Sequence, residues 1–125
     1  MISWKELKSE KAVHSIVEIS NHVPIAIFKH STVCEISAMV KERIELQWDI
    51  GPDAVDVYCL DIRAHRRVSD EIDRIFGVPH ESPQLLLIKE GKSIYNASHA
   101  DINVDELRSA LGIASGEGIP AALAS

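Results

Sequence analysis

Two cysteines and six histidines carry most of the reactive chemistry available to this 125-residue chain. Cys34 has the setting of a reactive group. It lies in Phe28-Lys29-His30-Ser31-Thr32-Val33-Cys34-Glu35-Ile36-Ser37, directly after the apolar run Ile25-Ala26-Ile27-Phe28 and directly before a helical pattern. The order is strand, short turn, then a thiol at a helix start. Unpaired backbone N–H groups and the positive end of the helix dipole favour a thiolate there. A small buried apolar role is the usual fate of a single cysteine, but the polar turn His30, Ser31, Thr32 argues for reactivity. Ser37 sits three residues on, within one helical turn, and its hydroxyl is expected to donate to the thiolate. Glu35 opposes it by placing an anion beside the sulfur. The Cys34-x-x-Ser37 spacing lacks a second thiol, so a mixed disulfide on Cys34 must be released by an external thiol. That is monothiol chemistry with a low-molecular-weight thiol rather than general dithiol reduction of proteins.

The remaining candidates are ranked against Cys34. Cys59 lies mid-strand between Tyr58 and Leu60 and reads as a core residue. His30 and His80 are expected to shape, protonate or line the thiol pocket, and His99 to end a strand. No Cys-x-x-Cys or His-x-x-x-His spacing occurs, so no resident zinc site is expected. There is no glycine-rich dinucleotide or phosphate loop. The net charge of −6 disfavours nucleic acid and anionic membrane as partners, both of which select a basic patch. No apolar run approaches the ~18 residues of a membrane span, and no leader pattern is visible, so the expected compartment is the cytoplasm. Two cysteines are too few for a disulfide framework.

The elements that must position Cys34 follow from periodicity. Ser3 with Glu6, and then Ser9, have helix-start spacing, and Ala12, Val13, Ile16, Val17 and Ile19 form a stripe, so one interrupted helical region is expected to about residue 20. Residues 25–29 form a strand buried on both faces. A helix follows from about Cys34 to Trp48, with Ile36, Val40, Ile44 and Trp48 inward and Met39 widening that face. Residues 55–60 form a second strand. A third helix holds Val68, Ile72, Ile75 and Phe76 and stops at Gly77, before Pro79. Residues 84–89 and 92–97 are two strands around the turn Glu90-Gly91, a β-hairpin. Asn103 caps a last helix, closed by Gly112.

The resulting order, α-β-α-β-α-β-β-α, is the thioredoxin arrangement. It is an α/β fold with a central mixed four-stranded sheet, a βαβ unit plus a hairpin, flanked by helices. One domain is expected over residues 1–112, with a flexible tail over 113–125. In such folds the proline before the third core strand is cis and faces the active cysteine, here Pro83. The backbone of the residue before it, Ser82, then pairs with the incoming thiol compound.

Several segments resemble one family, the YtxJ-type monothiol bacilliredoxins. The stretch from Phe28 to Ser37 resembles their active-site stretch, whose core is Thr-Cys-Pro-Ile-Ser. His80-Glu81-Ser82-Pro83-Gln84 resembles their cis-proline loop, and Ser98-His99 with Ile102 their strand-end motif. Trp4 and the segment from Arg67 to Ile72 fit as well. The resemblance spans about residues 3–112. It implies removal of bacillithiol from S-bacillithiolated proteins in the cytoplasm of bacteria that use this thiol. Cys34 and Ser37 are then the catalytic pair, and His30, Thr32, Val33, Ser82 and Pro83 the substrate-binding residues. Bacillithiol is the thiol co-substrate, no cofactor is needed, and the partners are S-thiolated clients and a recycling thiol reductase. Val33 stands where the family commonly has Arg, and Glu35 where it has Pro. Both changes predict a less acidic thiol than the family norm and a weak or altered activity. Two other classes compete with this reading: a glutaredoxin-like iron–sulfur or metal carrier, and a non-catalytic thioredoxin-like binding module.

Overall fold

The computed structural model describes residues 1–113. Nearly all of the tail expected over 113–125 therefore lies outside the described residues. The elements are β1 (Lys5–Glu6), α1 (Glu10–Ile19), β2 (Ile25–His30), α2 (Glu35–Gln47), β3 (Asp56–Asp61), α3 (Arg66–Phe76), β4 (Gln84–Lys89), β5 (Lys92–Ser98), a 3-10 turn (His99–Asp101) and α4 (Val104–Leu111). The strands form one mixed sheet in the order β1-β3-β2-β4-β5. β1, β3 and β2 are parallel, while β4 runs antiparallel to both β2 and β5.

Central position explains the apolar character of β2 and β4. Side chains alternate between the two faces of a strand. Ile25 and Ile27 of β2, with Leu86 and Ile88 of β4, pack beneath α1 and α3 on Val13, Ile16 and Ile72. Ala26 and Phe28, with Leu85 and Leu87, pack beneath α2 and α4 on Val40, Ile44 and Leu107. Lys29 falls on the α1/α3 face of this central strand and is 0% exposed.

Three expectations require correction. The sheet has five strands rather than four, because Lys5 and Glu6 pair in parallel with Tyr58 and Cys59. Two charged residues carry no alternation signal. The pairing is held by their neighbours: Trp4 packs on one core and Leu7 on the other, and Leu7 N–H donates to Cys59 O at 3.0 Å. For the same reason the N-terminal region is strand then helix. Only Ser9 caps, its Oγ accepting Ala12 N–H at 3.1 Å. Finally, Ile36 and Met39 of α2 do not face inward; they are 52% and 67% exposed, and Ser37, Val40 and Ile44 form the buried edge. A four-residue repeat drifts by about 40° per step around a helix of 3.6 residues per turn, so a stripe centred on Val40 and Ile44 has rolled off the core at Ile36.

The hairpin turn forms as its residues dictate. Glu90 and Gly91 both have positive φ, 52° and 74°, the conformation that two-residue hairpins require. Their N–H groups reach back to Ser20 O and Ser20 Oγ at 2.9 and 2.8 Å, which ties the hairpin to the end of α1.

Candidate active site

β2 delivers the chain to the turn that carries the thiol. Cys34 N–H donates to Ser31 O at 3.2 Å, closing the turn, and Cys34 O accepts Ala38 N–H at 3.0 Å, starting α2. Cys34 is thus the N-cap residue, with extended backbone and no side-chain cap bond. Its sulfur stands at the first turn of α2, where backbone N–H groups lack intrahelical partners. Cys34 is half-buried, while Thr32, Val33, Glu35 and Ile36 around it are exposed.

Ser37 is 0% exposed, and its Oγ points back under the turn. It accepts Ser31 N–H at 3.0 Å and lies 2.7 Å from His30 Nδ1. The hydroxyl donates to His30 Nδ1 when that nitrogen carries no proton and accepts from it in the other tautomer. This differs from the expected hydrogen bond to the thiolate: among the described residues Ser37 makes none to the Cys34 sulfur. His30 stacks on Phe28 with ring centroids 5.8 Å apart. Burial, and then Lys41, push His30 below its ordinary imidazole range, so the neutral ring that can accept from Ser37 is favoured.

The second wall comes from the strand that pairs with β2. The antiparallel register sets Lys29 against Gln84, so the Ser82-Pro83 loop enters β4 at the end of the sheet where β2 reaches His30. The Ser82-Pro83 bond is cis, as expected. The ladder begins at Gln84, so the Ser82 backbone stands outside it, at the end of the sheet where β2 also runs into the Cys34 turn. Pro83 is buried, and its carbonyl accepts His99 N–H at 2.9 Å. His99 also pairs with Glu81 at 3.3 Å.

His30 and His80 fall on opposite faces of the sheet. His80 Nδ1 lies 3.3 Å from both Lys29 Nζ and Ser69 Oγ, on the α3 side. The two histidines therefore do not converge on Cys34. Among the described residues no three His, Cys, Asp or Glu side chains gather as metal ligands.

A cavity of about 410 Å³ opens beside the turn, on the α2 side of β3. Its lining includes His30, Thr32, Lys41, Asp61, Cys59 and Trp4. Lys41 Nζ sits over the Trp4 ring at 5.4 Å, and Trp4 Nε1 donates to Glu45 at 2.8 Å. Cys59 packs against the core as expected, but it is half-buried and also borders this cavity. Burial pushes its thiol up to about 11, which leaves it protonated and unreactive at neutral pH.

Sequence reasoning missed Lys29, Lys41 and Asp61. Lys29 had a signal, a lone charge in an otherwise apolar central strand. Lys41 reads as a solvated helix residue until α2 is docked.

Comparison with known proteins places this geometry. The family profile "Monothiol bacilliredoxin BrxC" matches residues 5–107, which includes the Cys34 turn, the Ser82-Pro83 loop and the His99 turn. The chain belongs to the monothiol bacilliredoxin family. A solved structure described as a putative oxidoreductase with a thioredoxin fold is similar at 30% identity and TM-score 0.72, over 84% of this chain and 90% of that one. Thioredoxin from Malassezia sympodialis is similar at 18% identity and TM-score 0.69, over 90% of each chain. Thioredoxin O2 from Arabidopsis thaliana is similar at 22% identity and TM-score 0.65, over 88% and 92%. The last two likenesses concern the fold. This bacilliredoxin thus has a thioredoxin-like fold, and its family and architecture are those of thiol redox proteins acting on thiolated substrates.

Proposed function

We propose that this chain is a monothiol-disulfide oxidoreductase that removes bacillithiol from S-bacillithiolated proteins through Cys34. The Cys34 thiolate attacks the bacillithiol sulfur of the protein–bacillithiol disulfide. A Cys34–bacillithiol disulfide forms, the client sulfur leaves as a thiolate and takes a proton from solvent. A second bacillithiol thiolate then attacks the bacillithiol sulfur of that adduct. Cys34 is released as a thiolate, and bacillithiol disulfide leaves for a thiol reductase. Cys34 attacks from the N-cap position of α2, and the Ser82 backbone edge orients the disulfide. His30, Thr32 and Val33 contact the bound thiol. Its polar body has room in the cavity beside Thr32, where Lys41 suits a carboxylate and Trp4 a sugar ring. The setting of such a reaction is a reducing cytoplasm, where mixed disulfides are transient.

The observation that carries this reading is a half-buried cysteine at the start of α2, with a buried serine instead of a thiol three residues on and the Ser82-Pro83 loop at the same end of the sheet. The test is transfer. A bacillithiolated client is mixed with the wild-type protein and with Cys34→Ala, and the masses of both proteins are followed. Bacillithiol should move to Cys34 of the wild type and stay on the client with the variant. A client that keeps its bacillithiol with the wild type refutes the proposal.

A further inference from the structure

Lys29 belongs to no step above, yet among the described residues it is the cation with 0% exposure, in the central strand β2. An ammonium in that position is very unfavourable unless each of its protons has an acceptor. Here each does. Nζ lies 2.5 Å from Asp73 Oδ1, 3.3 Å from Ser69 O and 3.3 Å from His80 Nδ1. Two of the three acceptors are on α3. The third belongs to the loop that leads into Ser82 and Pro83. The loop is held elsewhere by Gln84 Nε2 on Pro79 O at 3.0 Å and by His99 N–H on Pro83 O at 2.9 Å. His80 is the contact between these two grips.

We propose that Lys29 is a positioning residue, whose ammonium holds the His80–Pro83 loop beside the Cys34 turn only while the His80 ring is neutral. Nδ1 accepts from Lys29 only when it carries no proton. A doubly protonated ring turns an N–H toward an N–H and sets two cations 3.3 Å apart. The groups around His80 are Lys29 from β2, Asp73, Asp70 and Arg66 from α3, and on the loop itself Glu81, which is paired with His99. Burial and then Lys29 push His80 below its ordinary 6.5, so the contact is intact at neutral pH and is lost on acidification below that value.

The inference rests on the disulfide-exchange reading, and its test separates the two. Two rates are measured for Cys34 between about pH 5 and pH 8: transfer from a bacillithiolated client, and alkylation by iodoacetamide, which needs only the thiolate. Their ratio isolates the loop. In the wild type the ratio should fall about tenfold on acidification, with its midpoint below ~6.5, the scale on which small misplacements act. In Lys29→Met the ratio should be about tenfold lower even near pH 8. The His80 ring, followed by NMR, should then titrate at higher pH, because a neighbouring cation is gone. In His80→Asn the acid-dependent fall should vanish. If Lys29→Met does not fold, the His80→Asn profile and the wild-type His80 titration decide. A pH-independent wild-type ratio overturns the proposal, as does an unchanged ratio or an unshifted His80 titration in folded Lys29→Met. A wild type that takes no bacillithiol refutes the exchange reading, and the His80 titrations still judge the network.

Discussion

Ser37→Ala removes one oxygen and tests how the active-site turn is held. Ser37 Oγ is fully buried, accepts Ser31 N–H at 3.0 Å and lies 2.7 Å from His30 Nδ1. Each lost hydrogen bond is worth about 0.5–1.5 kcal/mol net. The larger effect is what remains: Ser31 is itself buried, and a buried donor without an acceptor costs about 1–3 kcal/mol. Ser37 has no exposure in the fold, so the sum is about 2–3 kcal/mol of destabilisation. Urea unfolding near neutral pH is the assay. With an m-value of roughly 1–2 kcal/mol/M for a domain of this size, the midpoint should drop by about 1–3 M with m unchanged. Ser37→Cys keeps the shape and a weak acceptor, and should lose less. A loss below about 0.5 kcal/mol in Ser37→Ala, within the range of an ordinary surface change, would show that these two bonds do not hold the turn.

Two further predictions concern the thiols. Cys59, with its thiol pushed up to about 11, should react with iodoacetamide at pH 8 roughly a hundredfold more slowly than an unperturbed cysteine and well behind Cys34; peptide mapping that finds equal rates contradicts this. The raised value also sets a sign: stability linked to Cys59 is full below about 9.0, the ordinary thiol value, and is lost as pH rises toward about 11, because the unfolded chain gives up its proton first. Glu35→Gln removes the exposed anion next to Cys34 and should speed Cys34 alkylation near pH 7 by about two- to fivefold at low salt, with the gain shrinking as salt screens it. No change in low salt would mean that Glu35 points its charge away from the sulfur.

The sequence by itself determined the elements whose signals are local. β2, β4 and β5 follow from apolar runs and from the Glu90-Gly91 turn, whose positive φ values are set by those two residues. The ends of α3 and α4 follow from Gly77 and Gly112 at left-handed positions. Cys34 at a helix start, the Cys-x-x-Ser spacing and the proline before β4 sufficed for the fold and the family, because each is a short-range pattern with one geometric outcome. What depends on contacts distant in the chain was not legible. β1 exists only because the edge of β3 accepts it. The face that α2 buries is decided by docking, which turned Ile36 and Met39 outward and set Ser37 beneath the turn rather than toward the sulfur. Lys29 carries the same lesson furthest. Its charge in an apolar strand was visible along the chain, but Ser69, Asp73 and His80 lie 40, 44 and 51 residues away. Only the packing of α3 and the β4 entry loop against one face of the sheet brings three acceptors to one ammonium. Without that packing a buried lysine is a defect; with it, Lys29 joins the central strand to the loop beside Cys34.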